Sequence, residues 1–142
     1  MKTFFTKSED ETENIGQMIA KELKPHDVIA LFGDLGAGKT AFVRGLARGL
    51  GVKADVSSPT FSLVHDYGGV PALYHFDMYR VSTWEDLCST GFFDYLDLGG
   101  ILAVEWSENI ETQLPKTHIR VEIQKGESDD ERTIIISGDS IK

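Results

Sequence analysis

A lone cysteine, Cys88, leaves this chain without an internal disulfide or a cysteine-based metal cage. With no sequence context for a nucleophile, that thiol is expected to be buried and inert. No apolar run approaches the roughly 20 residues needed to cross a bilayer. The segment Met1-Lys2-Thr3-Phe4-Phe5-Thr6-Lys7 turns polar too soon for a secretory signal. A cytoplasmic protein without a membrane partner is the expectation. Basic residues are scarce as well: 14 Lys and Arg stand against 23 Asp and Glu, for a net charge of −9. The surplus lies almost wholly in residues 72–142, which carry fourteen acidic and six basic side chains. Such a surface repels a phosphodiester backbone and disfavours direct high-affinity binding of nucleic acid by the chain itself. Repeats, low-complexity tracts and long linkers are absent, and 142 residues suit one domain spanning 1–142.

What is present reads as a folded α/β chain, with 41% hydrophobic and 26% charged residues. Ser8 to Leu23 has a capping box (Ser8 with Glu11), an apolar stripe of Ile15, Met18, Ile19 and Leu23, and Pro25 beyond its end. Val28 to Phe32 is a continuous apolar run of strand length, suited to burial on both faces. Lys39 to Leu50 is helical by pattern, with Gly51 as its C′ residue. Thr60 to Tyr67 and Ala72 to Tyr79 alternate as paired strands around Gly68-Gly69. Ser82 with Glu85 predicts a second capping box ahead of a short helix, Trp84 to Ser89. Strands are expected at Ile101 to Val104, His118 to Ile123 and Arg132 to Ser137. The order predicts a three-layer α/β domain of the P-loop NTPase kind, with a mixed, partly parallel sheet.

The strongest local signal is Gly33-Asp34-Leu35-Gly36-Ala37-Gly38-Lys39-Thr40, between the apolar strand and the amphipathic helix that continues through Ala41. Glycines 33, 36 and 38 let the main chain approach a phosphate without an intruding Cβ. Loop amides and the helix N-terminus then present partial positive charge. Lys39 would reach the β- and γ-phosphates, and the Thr40 hydroxyl would ligate magnesium. The loop alone does not separate ATPases, kinases and GTPases. An Asn-Lys-x-Asp guanine motif is missing, and Asp66-Tyr67-Gly68-Gly69, which fits DxxG, sits at a hairpin turn. Only five arginines are present, and Arg44 and Arg48 lie on the exposed side of the loop's helix.

Phosphate chemistry also needs carboxylates beside Thr40. Asp77 and Glu105 each end an apolar strand, where an acid belongs beside the crevice of an open α/β sheet. The competing readings are an ordinary pair with Arg80 for Asp77 and a solvated strand end for Glu105. Histidines 26, 65, 75 and 118 lack metal-ligand spacing. His65 and His75 face one another across the hairpin and read as structural residues.

The phosphate loop, Ser58-Pro59-Thr60-Phe61-Ser62-Leu63-Val64, Tyr74-His75-Phe76-Asp77-Met78-Tyr79-Arg80 and Val104-Glu105-Trp106 occur in that order. Together they resemble the bacterial TsaE family over residues 8–136. The resemblance implies a Mg-dependent ATPase that supports TsaB and TsaD in placing threonylcarbamoyl on adenosine 37 of tRNA. TsaD would perform the transfer, and tRNA would be met only through the complex. It further implies that Ser57 to Thr60 act as a switch, with Thr60 sensing the γ-phosphate. Thr40 and Glu105 would hold magnesium, Asp77 would support metal or water, and Trp106 would pack beside the site. Arg132 as a nucleotide contact and Thr12 near the base are further candidates, set against the default reading of both as surface residues. Two other readings stay open: a small-molecule kinase, and a module that nucleotide gates without hydrolysis.

Overall fold

Buried on both faces, Val28–Phe32 takes the central position of a seven-stranded sheet. The structure, a computed structural model, describes residues 1–34, 36–53, 55–57 and 64–138. In chain order the elements are β1 (Lys2–Thr6), α1 (Glu9–Ala20), β2 (Val28–Phe32), α2 (Lys39–Gly49), β3 (Val64–Gly69), β4 (Ala72–Asp77), α3 (Trp84–Ser89), α4 (Phe92–Leu96) and β5 (Ile101–Glu105). A 3-10 segment (Ser107–Gln113), β6 (Ile119–Lys125) and β7 (Arg132–Ser137) complete them. The strand order is β1-β7-β6-β2-β5-β4-β3, parallel across β6-β2-β5-β4 and antiparallel at both edges. The sheet is therefore mixed, as expected.

Alternation along the strands sorts side chains into two cores. Ile29, Leu31, Leu73, Ile101 and Ala103 pack with Ile19, Phe42 and Leu46 of α1 and α2. Ala30, Phe32, Phe76, Leu102 and Val104 pack with Leu87 of α3, Phe92 of α4 and Ile110. Helices thus cover both faces, giving three layers. The odd-numbered positions of β4 and β5 point toward α2. The same period carries His75, Asp77 and Glu105 onto that face.

Helix ends follow local chemistry. The Ser8 hydroxyl accepts from the Glu11 amide at 3.1 Å, while the Glu11 carboxylate takes the Lys7 amide instead of that of Ser8. Gly51 has φ 76°, and its amide donates to the Arg48 carbonyl, closing α2 as its C′ residue. The second capping box belongs to Thr83 and Asp86, not to Ser82 and Glu85. Thr83 accepts from the Asp86 amide, and the Asp86 carboxylate accepts from the Thr83 amide. Cys88 is exposed, contrary to the buried thiol expected. The strand start at Thr60 lies outside the described residues. Among those described, no helix is long and apolar enough to cross a membrane.

The two helices of the first layer meet through glycine. A Cβ on Gly45 would overlap the Glu13 carbonyl of α1, and one on Gly16 would overlap the Phe42 carbonyl of α2. Gly45→Ala should therefore destabilise by about 1–3 kcal/mol through overpacking, despite alanine's better helix propensity. Urea unfolding checks this, and a variant as stable as the parent would contradict the close contact.

Candidate nucleotide site

At the carboxyl ends of β2, β4 and β5 lies a cavity of about 560 Å³, within the range of small-molecule pockets. Gly36 to Ala41 form one wall, Thr12 and Arg132 another, and Asp77, Glu105 and Trp106 the floor nearest the sheet. This is the crevice where open α/β sheets bind ligands.

The loop turns out of β2 at Gly33 (φ 149°) and into α2 at Gly38 (φ 105°). The latter is left-handed backbone that a side chain would strain. Lys39, the first residue of α2, is 4% exposed. Its ammonium folds back onto the carbonyls of Gly33 and Asp34 and lies 3.6 Å from the centre of the Trp106 ring. Desolvation holds that ammonium below the ordinary lysine range, against the opposing pull of Glu108, Glu105, Asp77 and Asp34. Trp106 reaches it from backbone in the left-handed region (φ 56°), uncommon for a bulky residue. Its ring also meets Tyr79, with centroids 4.9 Å apart.

Asp77 and Glu105 are direct register partners on the parallel strands β4 and β5, and each is 3% exposed. Glu105 is therefore no solvated strand end. It accepts from the Thr40 hydroxyl at 2.9 and 3.2 Å. Asp77 accepts from the Tyr79 amide at 2.8 Å. Two buried carboxylates side by side need cationic company. Lys39 supplies one charge of it.

Arg132 braces the opposite wall. Its Nε donates to the Ala37 carbonyl at 2.8 Å and its Nη2 to that of Gly36 at 3.1 Å. The antiparallel pairing of β1 with β7 sets Thr6 opposite Arg132. The Thr6 hydroxyl lies 2.9 Å from that of Thr12. Arg44 and Arg48 are tied to α1, with Arg44 on Glu9 and Glu13 and Arg48 on Glu13.

A family model, Threonylcarbamoyl adenosine biosynthesis protein TsaE, matches residues 6–134. The chain belongs to the TsaE family. It is 44% identical over 131 residues to the tRNA threonylcarbamoyladenosine biosynthesis protein TsaE of Bacillus subtilis (strain 168), spanning 91% of this chain and 80% of that protein. The protein of the same name from Treponema pallidum (strain Nichols) is 35% identical, over 84% of this chain and 88% of its own. Among solved structures, the crystal structure of Bacillus subtilis YdiB superposes with a TM-score of 0.82 at 37% identity, covering 96% of this chain and 84% of that one.

Of the residues that the TsaE resemblance and the loop motif singled out, Thr12, Gly36, Ala37, Gly38, Lys39, Thr40, Ala41, Asp77, Glu105, Trp106 and Arg132 line this one cavity. Gly33 and Asp34 take part through their carbonyls, which hold Lys39. Leu35 and Thr60 lie outside the described residues, as do Ser58 and Pro59 of the expected switch. Asp66-Tyr67-Gly68-Gly69 lies within β3, where Asp66 accepts from the Gly68 amide at 2.9 Å and the pairing with β4 slips between Asp66 and Gly69; the hairpin turns at Val70-Pro71, not at Gly68-Gly69 as expected.

Sequence reasoning missed three neighbours. Glu108 accepts from the Gly33 amide at 3.0 Å. His75, read as structural, is fully buried, with Nε2 2.5 Å from Glu105. The Tyr67 hydroxyl lies 2.8 Å from Nδ1 of that same ring. Strand alternation was the available signal for His75, two residues before Asp77 and on its face.

Proposed function

We propose that this chain is a Mg-dependent ATPase that supports threonylcarbamoylation of adenosine 37 in tRNA, working with TsaB and TsaD. The observation that carries this reading is the pairing of Thr40 with Glu105, on the floor of a cavity walled by the glycine loop and Lys39. Family membership supports the pathway, since curated relatives are named for tRNA threonylcarbamoyladenosine biosynthesis.

The donor set fits magnesium. Among the described residues, no group of three or more His, Cys, Asp or Glu side chains forms a metal cage. Magnesium does not require one: it commonly takes one or two carboxylates or a hydroxyl, retains waters and shares phosphate oxygens. Thr40 and Glu105 would hold it, with Asp77 alongside. When bound, the ion would offset phosphate charge and polarise the terminal phosphoryl group.

The chain's own groups have distinct tasks. The loop amides and the first turn of α2 bind the phosphates. Lys39 would exchange its carbonyl partners for phosphate oxygens, keeping its place over Trp106. Asp77 and Glu105 would orient water from the sheet side. Arg132 stiffens the loop through the carbonyls of Ala37 and Gly36 and lies where it could also meet the nucleotide, with Thr12 toward the base.

Turnover by the chain alone should be slow, because four of its arginines already have partners: Arg44, Arg48 and Arg120 on carboxylates and Arg132 on carbonyls. None of these four can act as a finger on the γ-phosphate without first giving up its partners. Phosphate release from Mg-ATP, measured alone and with TsaB and TsaD, tests this. The expected result is a low basal rate that rises with the partners. Fast turnover unaffected by them would contradict it.

A further inference from the structure

We propose that His75 and Tyr67 are positioning residues for Glu105, linking the metal-binding pole of the cavity to the main chain at Ser57. This rests on the Mg-ATP reading and assigns to that site a support that neither the loop motif nor the paired carboxylates supplies. The chain of contacts is continuous. The Thr40 hydroxyl donates to Glu105 at 2.9 Å, Glu105 meets His75 Nε2 at 2.5 Å, His75 Nδ1 meets the Tyr67 hydroxyl at 2.8 Å, and that hydroxyl lies 3.0 Å from the Ser57 carbonyl.

Directions follow from the groups. An ionised carboxylate only accepts, so Nε2 carries a proton and donates to Glu105. In a neutral ring Nδ1 then accepts, and the phenol of Tyr67 is the donor that faces it. Burial raises the phenol's pKa, keeping it protonated and able to donate. It has a single proton for two acceptors, His75 Nδ1 and the Ser57 carbonyl. His65 Nδ1, 3.2 Å from the same oxygen, is a third neighbour.

Burial makes the arrangement consequential. His75 is 0% exposed and Glu105 3%. Among the described residues, no buried side-chain nitrogen or oxygen lacks a hydrogen-bond partner. A carboxylate gripped at Oε2 by an imidazole has little freedom to rotate, so its lone pairs are held toward Thr40. Partners of this kind, hydrogen-bonded to ligands but not touching the metal, commonly change metal affinity or activity by about 10–100-fold. The role is one of orientation, since His75 acts on the site through its hydrogen bond to Glu105.

The test measures ATP binding by calorimetry, once with magnesium and once with EDTA. The ratio of the two dissociation constants isolates the metal's contribution. In His75→Leu that ratio should fall about tenfold while metal-free ATP affinity holds. His75→Gln, whose carboxamide nitrogen can still donate to Glu105, should recover most of the ratio. Tyr67→Phe should lower it by less than His75→Leu. If His75→Leu fails to fold, Tyr67→Phe and His75→Gln decide the matter. A Tyr67→Phe ratio equal to wild type would then overturn the relay. Equal losses with and without magnesium would show a merely structural role and overturn the proposal. A wild-type ratio of one would instead remove the Mg-ATP reading itself, and the proposal with it.

Discussion

Lys39→Ala should lose about a hundredfold or more in affinity for Mg-ATP, the equivalent of one charge-assisted contact of about 3 kcal/mol. The ammonium sits at the head of α2, beside the glycine loop and over the Trp106 ring, where no other described lysine lines the cavity. Formation of threonylcarbamoyl-tRNA in a reconstituted system should fall with it. Stability should respond differently. Desolvation lowers the Lys39 pKa in the folded chain, so the unfolded chain holds that proton more tightly. Between the lowered value and the ordinary lysine value near about 10.4, the unfolded state binds more protons, and stability rises with pH. The alanine variant lacks this term. Nucleotide-free wild-type protein should therefore gain stability relative to Lys39→Ala as pH climbs toward that value. Thermal melts of both proteins over the alkaline range check the sign, and a gap that narrows in the other direction would contradict it.

Glu105→Gln should leave ATP bound but lower phosphate release by about a hundredfold or more. The carboxamide can still accept from Thr40, so the local fold survives. It cannot supply the negative charge that would face metal and water. This substitution also separates an ATPase from a module that nucleotide only gates. If hydrolysis matters, tRNA modification falls with phosphate release. If binding alone suffices, modification persists while release is lost, and the claim that hydrolysis supports modification is overturned. Paired single-turnover and modification assays on one preparation provide the comparison.

The parts most legible in the sequence were those set by local chemistry. Val28–Phe32 is apolar at every position, and its bounds as a strand are those expected. The loop and α2 follow from glycines, an amphipathic period and Gly51. Trp84–Ser89 and Arg132–Ser137 also have the expected bounds. Elements that depend on distant partners were not legible. β1 has Phe5 78% exposed and shows only a short alternation; it is a strand because β7, far along the chain, offers an edge. α4 spans too few residues for a helical period to declare itself. The capping error at Ser82 arose because two adjacent hydroxyl residues precede two adjacent acids, and only backbone dihedrals choose between them. For Cys88, residue type predicted burial, but the short helix that carries it leaves the thiol exposed.

The site was legible in its acids and its loop, and illegible in its supports. Asp77 and Glu105 could be picked out as polar ends of apolar runs. That they are neighbours depends on β4 and β5 pairing in parallel, with Asp77 opposite Glu105. His75 gave a weaker sign, because an inward-facing histidine is usually structural until its partner is known. Glu108 gave none, since its contact with the Gly33 amide follows from the turn at Trp106.

The central claim is that the loop from Gly33 to Thr40 holds the phosphates of ATP together with magnesium. Calorimetric titration of the full chain with Mg-ATP tests it most directly, run beside Lys39→Ala and beside the wild-type chain in EDTA. The account predicts saturable binding to wild type, weakened by removing the metal and largely abolished in the variant. Absence of binding to wild type, or equal binding by Lys39→Ala, would contradict it.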